Sequence, residues 1–265
     1  MNAEKRRTRI FNIMQEQETV EINELAAVFD VSTMTIRRDL IHFKEQGLIT
    51  MTYGGAYLNT GTSIEPSFLL KSSQMIEKKQ IIGMEAAKLV EDGDTIIIDC
   101  GTTTLQMVKY IQDKNITVLT SSWPIANYLS KNSKIKLILA PGEYDISNAG
   151  VFSSITIDFF RNYYADKVFM GAQGIDIKQG ITVTEILDAE IKKSLFHAAK
   201  TKILLVDSVK YEQKYFAKYA DLNQFDYIIS DNENGKPYSQ KLKKICKNVI
   251  IADYESYLKE TKEEE

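Results

Sequence analysis

Residues 31–48, VSTMTIRRDLIHFKEQGL, carry the most specific pattern in the chain. Ser32 stands where an N-cap is needed, since its hydroxyl can accept from the free N–H groups of a first helical turn. Ile36, Leu40 and Phe43 then recur at helical spacing and face a core. That leaves Thr33, Thr35, Arg37 and Arg38 pointing outward near the helix start. Short hydroxyls and guanidinium forks suit base edges and phosphates. The candidate DNA contacts are therefore Ser32, Thr33, Thr35, Arg37 and Arg38.

Working upstream, Ile22 to Phe29 gives a second apolar-periodic run, with Leu25, Val28 and Phe29 expected inward and Ala26 and Ala27 allowing close packing. The corner Asp30-Val31-Ser32 joins the two runs as a helix-turn-helix. A first helix is expected over roughly residues 6–16, with Ile10, Ile13 and Met14 on one stripe. Downstream, Gly47 ends the third helix, and residues 48–53 read as a strand entering a turn at Gly54-Gly55-Ala56 and a return strand. The result is a three-helix unit with a wing. A winged helix used for protein contacts is the alternative, and the outward groove chemistry argues against it.

Charge is patterned rather than one-sided. Residues 1–60 hold seven Lys and Arg against eight Asp and Glu, with the positives clustered at the chain start and on the third helix. Phosphates respond to such local patches, so modest non-specific affinity and binding as a dimer or higher oligomer are expected. The whole chain has 265 residues, a net charge of -3 and 44% hydrophobic residues, which suits one small domain and one larger one. No apolar run reaches the roughly 20 residues of a membrane span, and the N-terminus has no signal-like apolar region. Cys100 and Cys246 lack metal-ligand spacing. A cytoplasmic location and no cofactor or metal are expected.

The predicted domains are a winged helix over 1–57, a linker over 58–74, an α/β domain over 75–254 and a charged tail over 255–265. In the α/β domain a helix carrying Ile82, Ala86, Leu89 and Val90 comes first. Strands are then expected at 95–99, 116–119, 136–140, 167–171, 203–207 and 227–230, and helices at 105–111, 125–129, 155–162 and 189–199. Apolar strands alternating with helices imply a doubly wound, mostly parallel sheet. Ligands of such sheets bind beyond the carboxyl ends of the strands. There the chain places Asp99-Cys100-Gly101-Thr102-Thr103-Thr104, Thr120-Ser121-Ser122, Pro141-Gly142, Gly171-Ala172-Gln173-Gly174 and Asp207-Ser208-Val209-Lys210. Loop N–H groups and hydroxyls suit a phosphate. Lys192 and Lys210 are expected to add cationic contacts, and Asp99 and Asp207 to accept from sugar hydroxyls. The effector candidates are Asp99, Gly101, Thr102, Thr103, Ser121, Gly142, Lys192, Asp207 and Lys210. Ordinary βα turns favour such residues too, but several loops converge here. Cys100, although beside a helix start, reads as a packing residue rather than a redox centre. His42 and His197 lack metal partners, the aromatics Tyr211, Tyr215, Phe216 and Tyr219 read as packing or an oligomer surface, and no dinucleotide fingerprint or P-loop is present.

Both halves resemble the DeoR family of bacterial transcriptional regulators. The first does so through residues 32–40, Gly47-Leu48 and Gly54-Gly55-Ala56. The second does so through residues 99–103, 120–122, 165–171, Gly174-Ile175, 180–182, 188–192 and 207–210. The resemblance implies a sensor domain similar in fold to ribose-5-phosphate isomerase and a phosphorylated sugar or related metabolite as effector. It also marks departures: Asp30 replaces the usual corner Gly, Cys100 a Ser, Pro141 a Gly, Asp188 a Glu and Val209 a Ser. The expected function is a non-enzymatic transcriptional regulator, a repressor of sugar or related carbon-source genes, released from operator DNA by its effector. The rival reading is an isomerase-like enzyme with a DNA-binding appendage, in which Glu185, Asp188 or Glu190 supplies a base. An activator or scaffold is a third reading.

Overall fold

The computed structural model describes residues 2–59, 67–231 and 238–254, which fall into two compact units, Met1–Gln74 and Met75–Glu265. In the first unit, α1 (Ala3–Gln17), β1 (Thr19–Glu21), α2 (Ile22–Phe29), α3 (Thr33–Glu45), β2 (Ile49–Met51), β3 (Gly55–Leu58) and α4 (Phe68–Ser73) follow in order. Ile10, Met14, Leu25, Ile36, Leu40 and Phe43 form its core, as their helical spacing requires. Val28, expected inward, is exposed, while its neighbours Ala26 and Phe29 in the same turn pack against the core. Part of the expected linker is structured: α4 buries Leu70 in this same core, whereas residues 60–66 lie outside those described.

The wing is a three-stranded antiparallel sheet, β1-β3-β2, rather than the expected two-stranded ribbon. Thr19-Val20-Glu21 is too short and mixed to stand out as a strand, yet it pairs residue for residue with Tyr57-Ala56-Gly55. A Cβ on Gly55 would lie 2.0 Å from the Val20 carbonyl oxygen, so only glycine lets the two backbones approach.

The corner of the helix-turn-helix is left-handed. Asp30 has φ 50 and ψ 53, and the N–H groups of Asp30 and Val31 return to the Ala27 and Ala26 carbonyls. Aspartate adopts this conformation at lower cost than most residues, which explains how the chain dispenses with glycine there. Asp30→Ala is expected to destabilise the unit by about 1 kcal/mol, and Asp30→Gly to be neutral or stabilising. Urea titration of the two variants checks this, and equal losses would contradict it.

In the second unit, α5 (Ile76–Ala87) leads into β4 (Thr95–Ile98), α6 (Thr104–Met107), β5 (Ile116–Thr120), α7 (Trp123–Leu129) and β6 (Ile135–Leu139). A hairpin of β7 (Tyr144–Asp145) and β8 (Gly150–Val151) precedes α8 (Ser154–Arg161), β9 (Ala165–Gly171), β10 (Gly174–Asp176), β11 (Gly180–Val183) and α9 (Ile186–His197). The unit continues through β12 (Ala199–Val206), β13 (Ala217–Ala220), β14 (Tyr227–Asp231), α10 (Tyr238–Lys243) and β15 (Asn248–Ala252). Seven strands form one parallel sheet in the order β15-β14-β12-β9-β4-β5-β6. Alternate residues feed two cores, as a strand's period of two dictates. Ile97, Val168, Met170, Leu204 and Ile228 pack with α9 on one face, and Ile96, Ile98, Phe169, Ile203, Leu205 and Ile229 with α5 and α7 on the other.

The sequence signal missed β15 and a small antiparallel sheet, β10-β11-β13, whose short strands are bounded by Gly174, Gly180 and Asp221. The helix expected over 105–111 is one α turn, α6, continued as a 3-10 turn at Val108–Tyr110. No helix among the described residues is long and apolar enough to cross a membrane.

Candidate functional site

On α3, Ser32 caps the helix as expected, accepting from the Thr35 N–H at 3.2 Å while its hydroxyl lies 2.9 Å from that of Thr35. These two hydroxyls are thus engaged with each other. Thr33, Arg37 and Arg38 are exposed, and among the described residues neither arginine has an ion-pair partner. The positive cluster at the chain start behaves differently. Asp39, buried on the inner side of α3, receives Arg6 Nε at 2.6 Å and Arg7 Nε at 2.9 Å. Two of the expected phosphate-facing charges therefore fasten α1 to α3, and in Arg37-Arg38-Asp39 the third member is internal. His42 is partly buried against Gln46, and burial, aided by Arg7, lowers its pKa.

In the second unit the strand order brings the carboxyl-end loops side by side: Ser121 after β5, Asp99 after β4, Gly171 ending β9, Asp207 after β12 and Asp231 ending β14. Adjacent strands lie about 4.8 Å apart, so the loops after β4 and β12, which flank β9, are about 10 Å apart.

Asp99 and Lys192 are not open contacts. The Lys192 ammonium is ion-paired to Asp99 and lies 3.6 Å from Asp188, and all three side chains are buried. The same Asp99 oxygen accepts the Gly171 N–H at 2.9 Å. The Tyr219 hydroxyl donates to the Gly171 carbonyl at 2.8 Å, and its ring lies 5.8 Å from the Lys192 ammonium. Burial alone would lower the Lys192 pKa, but Asp188 and Asp99 outweigh it and hold the ammonium charged. Burial raises the Tyr219 pKa, with Lys192 opposing. Expected to face a ligand, Asp99 and Lys192 instead join β4, β9, α9 and β13 in one closed network. The sequence marks Tyr219 only as packing or an oligomer surface, because a single tyrosine in a four-residue strand carries no motif.

Next to the network, burial, followed by Asp99, pushes the Cys100 thiol up to about 12. A Cβ at Gly150 would lie 2.6 Å from its sulfur. The thiol stays protonated at neutral pH, as a packing group does.

The loop after β4 is built to present N–H groups. Thr104 Oγ1 donates to the carbonyls of Asp99 and Gly101 at 2.8 and 2.9 Å. Among the described residues the backbone N–H groups of Gly101, Thr102 and Thr103 donate no hydrogen bond. Gly142 serves packing: its φ is 141, and a Cβ there would lie 2.3 Å from Ser153 Oγ and 2.5 Å from Thr156 Oγ1. Lys210 is partly exposed and without an ion-pair partner among the described residues. At these strand ends Ser121 Oγ, Ser122 Oγ and Asp207 Oδ1 are buried and, among the described residues, have no hydrogen-bond partner. Asp231, beside Asp207, is fully engaged by the Ser208 N–H and hydroxyl, both at 2.6 Å, and by Lys78 at 3.2 Å.

Comparison with known proteins bears on both units. Residues 6–62 match the model of the DeoR-like helix-turn-helix domain, and residues 74–232 that of the DeoR C terminal sensor domain. The chain is 32% identical over 231 residues to the HTH-type transcriptional repressor GlcR of Bacillus subtilis, covering 87% of this chain and 89% of that one. It is 28% identical over 250 residues, 93% of each chain, to the putative aga operon transcriptional repressor of Escherichia coli O157:H7. Among solved structures, ribose 5-phosphate isomerase A from Methanocaldococcus jannaschii aligns with 50% of this chain and 53% of its own, at 18% identity and a TM-score of 0.37. The eIF2B delta subunit from Chaetomium thermophilum aligns with 54% and 52%, at 17% identity and a TM-score of 0.40.

Proposed function

The chain belongs to the DeoR family of helix-turn-helix transcriptional regulators, and from that premise we propose that it represses sugar or related carbon-source genes and releases its operator when a phosphorylated sugar occupies the sensor unit. The observation that carries this reading is the exposed Arg37-Arg38 pair, without an ion-pair partner among the described residues, on a capped recognition helix. One such helix reads few base pairs, so a homo-oligomer on repeated half-sites supplies the specificity. Ser32, Thr33 and Thr35 line the same helix start. In the sensor unit the free N–H groups of Gly101, Thr102 and Thr103 take the phosphate, with Lys210 adding charge. Ser121 lies one strand away, while Gly142, Asp99 and Lys192 shape the surroundings. A few kcal/mol of differential affinity between two domain arrangements is enough to switch DNA binding.

Binding without turnover is the reading supported by two of the three candidate bases, which are ion-paired, and by the third lying on an exposed stretch outside the network. Asp188 is tied to Lys192, Glu190 pairs with Lys193 at 2.7 Å, and Glu185 is exposed ahead of α9. A general base must instead be free to reach a substrate proton.

The test begins with operator duplexes selected from random DNA by the full chain. Fluorescence anisotropy then follows release by glucose 6-phosphate, fructose 6-phosphate and ribose 5-phosphate, each beside its unphosphorylated parent. At least one phosphorylated sugar is expected to release DNA at a concentration tenfold or more below its parent. Equal potency throughout would reject the phosphate assignment.

A further inference from the structure

One groove lies wholly within the first unit, between α1 and the end of α2, lined by Arg9, Asn12, Ile13, Glu16, Val28 and Phe29. Its volume of about 210 Å³ is below the roughly 300 Å³ at which small-molecule pockets begin, so it suits side chains rather than a metabolite. Arg9, Asn12, Ile13 and Glu16 recur at i, i+3, i+4 and i+7 and so form one stripe along α1. Beside the stripe Val28 is 68% exposed, next to the half-buried Ile13 and Phe29. Single exposed apolar residues are common, but here the charge is ordered as well. Arg9 stands at one end, over the Phe29 ring at 6.0 Å, and Glu16 at the other. Among the described residues neither has an ion-pair partner. Asn12 lies between them, and its buried Oδ1 has no hydrogen-bond partner among those residues.

We propose that this groove receives α1 of a second copy of the chain, packed antiparallel about a two-fold axis that passes between Asn12 and Ile13. A two-fold pair presents the same patch from both sides, so the patch must complement itself. Arg9 and Glu16 are equally far from that axis. Antiparallel packing therefore sets the Arg9 of each copy against the Glu16 of the other, and each positive helix start beside a negative helix end. Parallel packing would oppose like charges. At the axis the two Asn12 amides meet, and a turn about their side chains lets each donate to the acceptor the other leaves unsatisfied. One polar residue in a helix seam fixes register in this way. None of the groove's residues lies on α3, so Arg37 and Arg38 stay uncovered for DNA. The pair holds two recognition helices in a fixed relation, as repeated half-sites require. This assigns a surface to the homo-oligomer of the reading above and does not depend on the effector's identity.

The experiment uses full chains carrying Arg9→Cys or Glu16→Cys, exposed positions where a substitution costs no more than about 0.5 kcal/mol. Position 9 of one copy and position 16 of the other face each other, within the roughly 7 Å between Cα atoms that a disulfide can bridge. Two copies of position 9 are offset by a further 10 Å or so along the helices, out of reach. Co-expressed Arg9→Cys and Glu16→Cys chains are oxidised with and without operator duplex. They are expected to give at least tenfold more linked dimer than either variant alone, or than wild type with its Cys100 and Cys246. Charge reversal is the second measurement. Arg9→Glu and Glu16→Arg should each weaken binding to a two-site operator at least tenfold, and the two in one chain should restore it, while affinity for an isolated half-site stays within threefold of wild type. Three results would each overturn the proposal. Linked dimer from a single variant alone means parallel packing, no mixed dimer means another occupant, and half-site affinity lost without rescue makes Arg9 a DNA contact. If wild type selects no operator, the repressor reading falls, and the mixed disulfide in free chains still decides this inference.

Discussion

Replacing Arg37 and Arg38 together with alanine should reduce operator affinity by at least about 100-fold, since each guanidinium contact to base or phosphate is worth about 1–3 kcal/mol. Both side chains are exposed, so stability should change by no more than about 0.5 kcal/mol. Single variants divide the roles. Loss of a phosphate contact lowers the slope of log affinity against log salt by about one and weakens all sequences alike, whereas loss of a base contact relaxes preference at one position. Asp39 is the necessary contrast, because it holds Arg6 and Arg7 inside the unit. Asp39→Ala should cost folding stability as well as DNA binding. An Arg37→Ala/Arg38→Ala protein with wild-type affinity and salt slope in an anisotropy titration would remove α3 from the DNA interface.

The largest stability loss is expected from Lys192→Met. It takes the Lys192 ammonium away from the buried Asp99 and Asp188, and breaking a buried pair in this way costs about 3–5 kcal/mol. For a unit of this size the sensor transition should fall by about 10 °C. The sign of the pH dependence follows from the raised Lys192 pKa. A cation with a raised folded pKa contributes fully below its unfolded value and loses that contribution only as the pH climbs through the folded one. Wild type therefore holds the whole contribution at neutral pH. In the variant the deficit should shrink as the pH falls, because protonating either carboxyl discharges it. Asp99→Asn in the same chain should recover part of the loss at neutral pH. Thermal unfolding between pH 5 and 8 checks this, and a Lys192→Met protein as stable as wild type would mean the network carries no net energy.

Elements whose residues all serve one purpose were readable from the sequence. Ser32, Ile36, Leu40 and Phe43 announce a capped amphipathic helix, and Ile203 to Val206 can only be a strand covered on both faces. What escaped was short or relational. Thr19–Glu21 becomes a strand only because Gly55 admits its backbone, and Tyr219 acquires its role only when β13 reaches the end of β9. The effector candidates divide along the same line. The free N–H groups after β4 follow from local loop chemistry, but that Lys192 is taken by two carboxylates depends on the fold. Asp99 and Asp207 look alike in sequence, and only their partners separate them.

The junction of β4 with β9 also sets an order of events during synthesis. Asp99 lies 72 residues before the Gly171 N–H it accepts and 93 before Lys192. At about 5–20 residues per second, a growing chain carries Asp99 unanswered for about 5–20 s before its cation is made. By then the first unit, ending at Gln74, has been complete for longer still. A nascent or truncated chain thus possesses its DNA-reading helix before the sensor network exists. Halting translation between residues 100 and 170 would release a fragment with α3 intact and no network around Asp99.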